Sequence, residues 1–178
     1  IDCLCLLSRS IKRYDSLIFA QLFHGGMRAP EHLTGFQPIT ASRTICKESK
    51  SGYTRMASDH DIWRIIQDFT SAAVRCVESG FDGIELHGAH GYLISQFLSK
   101  TINKRTDKWG GDINGRSQFL IEIVNSIKNN VPENFIVGIR LSPEIEELNI
   151  SLEDSIKLIR KVKTMGLDFI HLSCWDIY

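Results

Sequence analysis

Two five-residue stretches of this chain rhyme: Gly80-Phe81-Asp82-Gly83-Ile84 and Gly166-Leu167-Asp168-Phe169-Ile170 share Gly, apolar, Asp, any residue, Ile. Each lies between an amphipathic helical pattern and a short apolar run, as expected where one helix-to-strand turn is built twice. Before the first, Ser58 and Asp61 have capping-box spacing, and Ile62, Ile65, Ile66, Phe69, Ala73, Cys76 and Val77 form one face that ends at Gly80. The strand Gly83 to His87 follows. Phe119, Leu120, Ile123, Val124 and Ile127 predict a second helix, and Phe135 to Leu141 a strand stopped by Ser142-Pro143. Ser151 and Asp154 open a third helix with Leu152, Ile156, Ile159 and Val162 facing inward, before a strand over Phe169 to Ser173. Upstream, Leu17 to Phe23 reads as a strand buried on both faces, preceded by a helix carrying Leu4, Leu7, Ile11 and Tyr14. Since the chain opens on Ile1, that helix is expected to lack its beginning. A long polar connection runs from Met27 to Ala57.

Strands joined by helical crossovers must be parallel, and strands apolar at nearly every position need cover on both faces. A doubly wound sheet and a barrel both satisfy this. The strand starts lie roughly 50 residues apart, so an eight-unit barrel at this pitch needs about 400 residues. Only half of such a barrel is expected here.

Composition narrows the function classes. The 43% apolar and 24% charged content is that of a soluble globular chain. Lys plus Arg (21) balances Asp plus Glu (21), so no global field recommends nucleic acid or an anionic membrane as a partner. No apolar run approaches the roughly 20 residues that span a bilayer. The five cysteines lack paired CxxC spacing, which points to reduced thiols in a cytoplasmic protein.

In parallel α/β folds chemistry gathers at the carboxyl ends of strands. Those ends offer Gln21 and His24, then His87 with His90 and Tyr92, then Arg140, then His171 and Ser173. Two imidazoles three residues apart can donate to one oxygen, and the glycines of His87-Gly88-Ala89-His90-Gly91-Tyr92 are expected to let a flat ligand approach. A phenol two residues on can act as a general acid. Arg140 cannot shed its charge inside an apolar strand and needs an anionic or electron-rich partner; Glu85 is a structural candidate. A metal-dependent hydrolase built on His24, His87, His90 and His171 lacks acidic ligands at the strand ends.

The stretch Gly80 to Leu93, then Gln96-Phe97-Leu98-Ser99, Asn103-Lys104-Arg105-Thr106-Asp107, Trp109-Gly110-Gly111 and Asn114-Gly115-Arg116, resembles the old yellow enzyme family of FMN-dependent NAD(P)H oxidoreductases. The resemblance extends to Gln21-Leu22-Phe23-His24-Gly25-Gly26, to Val137 to Pro143 and to Ile170-His171-Leu172-Ser173, and so covers essentially the whole chain. It implies an α/β fold, a partial (β/α)8 TIM barrel comprising about strands 3 to 6 with their helices, as one incomplete domain over 1–178. It implies FMN and NAD(P)H as cofactors and a small electron-poor substrate such as an α,β-unsaturated carbonyl. Gln21 and Arg140 match the flavin-binding glutamine and arginine. His87 and His90 match the pair that grips the substrate oxygen, and Tyr92 matches the proton donor. The usual His-Ala-Gly-Arg reads His24-Gly25-Gly26-Met27-Arg28 here, which leaves the role of Arg28 open. The strands that flank this part of the family's barrel have no counterpart, so the alternative is a catalytically inactive truncated remnant that self-associates or needs a complementing barrel fragment.

Overall fold

The computed structural model describes residues 1–174. Helix α1 (Asp2–Lys12) leads into strand β1 (Phe19–Leu22). A 3₁₀ turn at Gly26–Arg28, the short helix α2 (Glu31–Thr34) and a two-stranded parallel ladder, β2 (Ile39–Thr40) with β3 (Arg55–Met56), fill the polar connection. Then come α3 (Asp59–Glu78), β4 (Gly83–Gly88), α4 (Leu93–Leu98), α5 (Ile113–Lys128), β5 (Ile136–Leu141), α6 (Leu152–Lys163) and β6 (Phe169–Leu172). The main sheet is parallel throughout, in the order β1-β4-β5-β6. This is an α/β fold with the sheet of a partial barrel.

The rhyming turns are built alike. Gly80 and Gly166 take φ of 78° and 77°, the left-handed region that glycine enters without a Cβ penalty. The Asp that follows reaches sideways: Asp82 accepts from the Ile18 backbone N–H at 2.9 Å, and Asp168 from that of Val137 at 2.8 Å. Each carboxylate also faces the lysine that ends a helix, Lys12 at 2.7 Å and Lys128 at 3.4 Å. The turn thus secures the start of the preceding strand as well as its own.

The faces of α3 and α5 stand where their periodicity puts them. Ser58 accepts from the Asp61 N–H at 3.2 Å while Asp61 accepts from the Ser58 N–H at 2.9 Å, closing the capping box. The α3 and α5 stripes pack on Ile84, Leu86, Val137, Ile139 and Leu141, all buried. Much of the long signature between α4 and α5 is scaffolding. Buried Arg105 donates to the Ala41 and Ala57 carbonyls, tying the β2–β3 excursion to this loop, and Asn103 donates to the carbonyls of Phe97 and Trp109.

Three expectations need correction. β1 is not buried on both faces: it is a four-residue edge strand whose residues alternate between exposed and half-buried, because among the described residues β4 is its sole partner in the sheet. In α6 Leu152 and Ile156 face outward, 48% and 42% exposed, and the buried stripe is Asp154, Ser155, Leu158 and Val162. The helix is turned by its polar anchors: Asp154 binds Arg116 at 2.9 Å and Lys100 at 2.7 Å, and Ser155 donates to the Pro143 carbonyl. In α1 the buried residue is Ser8, which donates to the Ser79 carbonyl, while Leu4, Leu7 and Ile11 are exposed and Tyr14 lies past the helix end.

Candidate functional site

Side chains on a strand alternate between faces, so the register decides which groups meet. On β4, Ile84 and Leu86 turn to the helices, leaving Glu85 and His87 on the opposite, inner face. The pairing Gln21↔Glu85↔Gly138 and His87↔Arg140↔His171 puts five polar side chains on that face. At its amino-terminal end Phe19 and Phe169 meet edge to face, ring centroids 5.8 Å apart. Gly83 and Gly138 make room for them, since an added Cβ would fall within 2.5 Å of the Phe19 ring and 2.2 Å of the Phe169 ring, respectively.

At the carboxyl end the loop after β4 reverses tightly. His90 and Gly91 take φ of 57° and 72° in succession. The reversal is held from both sides: the Ser142 hydroxyl lies 3.4 Å from the His90 N–H it accepts, and Arg28 Nη1 donates to the His90 carbonyl at 2.7 Å. Arg28 also lies over the Tyr92 ring, 5.5 Å from its centroid, so it braces this loop. Gln96, fully buried on α4, accepts from the Met27 N–H and donates to the carbonyls of Gly25 and Gly91, clamping the loops after β1 and β4 together. Gly88 and Gly91 serve the protein's own backbone: a Cβ at Gly88 would meet Leu141 at 2.9 Å and the Arg140 carbonyl at 3.0 Å, and Gly91 needs its positive φ.

The result is a compact constellation. The His87 ring lies 4.9 Å, centroid to centroid, from both His90 and Tyr92. Ser173 Oγ accepts from Arg140 Nη2 at 3.0 Å and shares a 2.7 Å hydrogen bond with His90 Nε2, joining β5, β6 and the β4 loop through one buried hydroxyl. Arg140 therefore pairs with Ser173. Glu85, the expected structural partner, is engaged by Gln21 Nε2 and by His171 Nδ1 at 2.9 Å. Gln21 shares the inner face but stands one step nearer the amino end than His87, linked to the rim through Glu85.

Electrostatics set the protonation states. Burial, then the charges of His90 and Arg140, push His87 down to about 4, with Glu85 opposing. Burial lowers His90 as well, helped by Arg140, Arg28 and His171. Both imidazoles are neutral at pH 7, each with one N–H to donate. Among the described residues His87 Nδ1 and Arg140 Nε are buried without a hydrogen-bond partner. A cleft of about 580 Å³ opens beside His90 and Gly91, walled by Met27, Ile45, Ile145 and Leu148. No three His, Cys, Asp or Glu side chains gather to hold a metal ion among the described residues. No described helix is long and apolar enough to cross a membrane. The Gln96 clamp and the Glu85 hub were not assigned from sequence; Glu85 breaking an apolar strand was the one local signal.

Comparison with known proteins agrees with this architecture. Bacillus subtilis YqiG, named as a probable NADH-dependent flavin oxidoreductase, is 34% identical over 176 residues, covering 96% of this chain and 47% of its own. The NADH:acrylate oxidoreductase of Vibrio harveyi is 38% identical over 173 residues, 94% of this chain and 17% of its own. The structure of a 2-naphthoyl-CoA reductase in complex with 2-naphthoyl-CoA superposes with a TM-score of 0.86 at 27% identity, covering 97% of this chain and 28% of that one. The chain thus spans about half or less of the length of these proteins. Residues 1–177 match the sequence profile of the NADH:flavin oxidoreductase / NADH oxidase family, and the chain belongs to that family, which is FMN-dependent and draws electrons from NADH or NADPH.

Proposed function

We propose that the protein containing this chain is an oxidoreductase of the old yellow enzyme type. It passes hydride from NAD(P)H by way of FMN to an electron-poor alkene such as an α,β-unsaturated carbonyl compound. The observation that carries this reading is the meeting of two neutral imidazoles, a phenol and a guanidinium at one end of a parallel sheet. The Vibrio harveyi relative is named for acrylate, an alkene of this electron-poor kind. In this reading the chain supplies strands 3 to 6 of a (β/α)8 barrel as one incomplete domain over 1–178. Its odd, unpaired set of five cysteines supports a cytoplasmic setting.

The residues present fit a flat ring with a polar edge. Arg140 keeps a buried Nε without a partner among the described residues, and Gln21 sets an exposed amide on the same face. Gln21 would hold the pyrimidine edge, and Arg140 would place a permanent positive charge where negative charge is added. Bound FMN supplies the hydride exchange between nicotinamide and acceptor. His87 and His90 donate to the acceptor's oxygen and hold the charge that develops there, an oxyanion-hole role. Tyr92 gives its proton to the α-carbon.

A second reading, an inactive remnant, is favoured by apolar groups left uncovered on both sides of the sheet: Phe23 and Leu172 are 59% and 55% exposed, and among the described residues β1 and β6 are sheet edges. Such a chain self-associates or needs a complementing barrel fragment. FMN titration of the purified protein with a sizing run separates the two. A yellow, flavin-binding species supports the enzyme; a colourless, aggregating one supports the remnant. In the flavin-loaded protein, Tyr92→Phe slows oxidation by the alkene and spares reduction by the nicotinamide. Equal loss in both half-reactions counts against the proton-donor role.

A further inference from the structure

Glu85 is the only carboxylate on any described strand, and its side chain is 12% exposed. One oxygen accepts from Gln21 Nε2 on β1 and the other from His171 Nδ1 on β6 at 2.9 Å. Reaching β6 from β4 means crossing β5, where the residue in register with Glu85 is Gly138 and bears no side chain. The hub therefore joins three strands, and at the intervening β5 position it is the Phe169 ring that fills the place of a side chain.

An ionised carboxylate only accepts hydrogen bonds. The Gln21 amide must turn its nitrogen to Glu85, which leaves its carbonyl oxygen and second N–H pointing elsewhere. A glutamine without such a neighbour has two nearly isosteric orientations, and one of them opposes oxygen to oxygen at a ligand's carbonyl edge. We infer that Glu85 is a positioning residue of the flavin site: it fixes the direction of the Gln21 amide so that one orientation meets the pyrimidine edge of FMN. This rests on the flavin reading of Gln21. A charge role is the weaker account, because a negative group beside a ring that takes on electrons opposes its reduction.

The test uses the full chain and Glu85→Gln, which keeps length and shape but offers an amide that accommodates either orientation. In ¹⁵N-edited NMR of the FMN-free protein, one Gln21 Nε2 proton, assigned by its loss in Gln21→Leu, is expected downfield of the other glutamine amides and back among them in Glu85→Gln. FMN fluorescence titration is expected to show about tenfold weaker binding in Glu85→Gln, the worth of one well-made hydrogen bond, with the urea midpoint little changed. An unshifted Gln21 amide in the unmodified protein overturns the proposal, a result that needs no variant to fold. So does FMN binding by Glu85→Gln as tight as by the parent. If the parent itself binds no FMN, the flavin reading fails and the positioning role fails with it, which is distinguishable from loss of the role alone.

Discussion

Gly138 is a position where one added methyl must displace an aromatic ring. A Cβ built there lies 2.2, 2.3 and 2.4 Å from three ring carbons of Phe169. Carbon pairs settle near 3.5–4.0 Å, so in Gly138→Ala the ring edge must retreat by about 1.5 Å. Retreat breaks the edge-to-face contact with Phe19 at 5.8 Å. Overpacking of this kind costs about 1–3 kcal/mol, and the lost aromatic pair about 0.5–1.5 kcal/mol. Alanine recovers about 0.4–1 kcal/mol by restricting the unfolded chain, and no positive φ at Gly138 penalises it. The net expectation is a destabilisation of about 2 kcal/mol, read as a fall in the urea midpoint at constant slope. Phe169→Leu shortens the obstructing ring, so the double variant should be more stable than the two single losses predict, by about 1–2 kcal/mol in a double-mutant cycle. A Gly138→Ala midpoint equal to the parent's, or a coupling within about 0.5 kcal/mol of zero, refutes the claim that this glycine exists to seat the ring.

Ser173→Ala removes the hydroxyl between Arg140 and His90 and leaves a guanidinium whose Nε already lacks a partner; about 2 kcal/mol of stability should be lost, and Ser173→Thr should restore most of it. Equal urea midpoints for parent and alanine variant would remove Ser173 from the site's framework. For His87 the folded value near 4 lies below the ordinary value near 6.5, so between these the unfolded chain binds more protons, and stability falls as pH drops from about 6.5 to about 4. His87→Gln should show a shallower fall across that window in urea titrations at stepped pH; parallel curves for the two proteins would mean His87 protonates normally. Gln96→Ala leaves the loops after β1 and β4 unclamped and should raise amide hydrogen exchange at Met27 at least tenfold, whereas unchanged exchange would assign the loop geometry to other contacts.

What could be read from the sequence follows from how local the information is. The stripes of α3 and α5, the Ser58–Asp61 box and the starts of three strands repeat within a few residues and stand where periodicity places them. His87 and Arg140 were placed at strand ends by the same short-range logic. The orientation of α6 escaped that logic because Asp154 is claimed by Arg116, 38 residues away, and a buried ion pair outweighs two leucine-sized residues on the helix's other side. Arg140 found Ser173 and Glu85 found His171 over separations of 33 and 86 residues, distances at which no spacing rule operates. The β2–β3 ladder is two residues long on each side, too short to show a period.

A strand that is apolar at nearly every position calls for cover from hydrophobic groups on both sides, yet this sheet has two unlike faces. Ile84, Leu86, Val137, Ile139 and Leu141 meet the helices, and the interruptions, Gln21, Glu85, His87, Arg140 and His171, all fall on the other side. That sorting survives only in one register, since a slip of one residue in β4 turns His87 into the helix layer. The register is secured at the opposite end of the strands. Asp82 holds the Ile18 N–H and Asp168 the Val137 N–H, each locking the entry of one strand to the turn that begins its neighbour in the sheet. The repeated Gly-x-Asp turn that first marks the fold is therefore also what sets Gln21 opposite Glu85 and Arg140 opposite His171, so two of the pairings behind the carboxyl-end chemistry depend on carboxylates that never approach it.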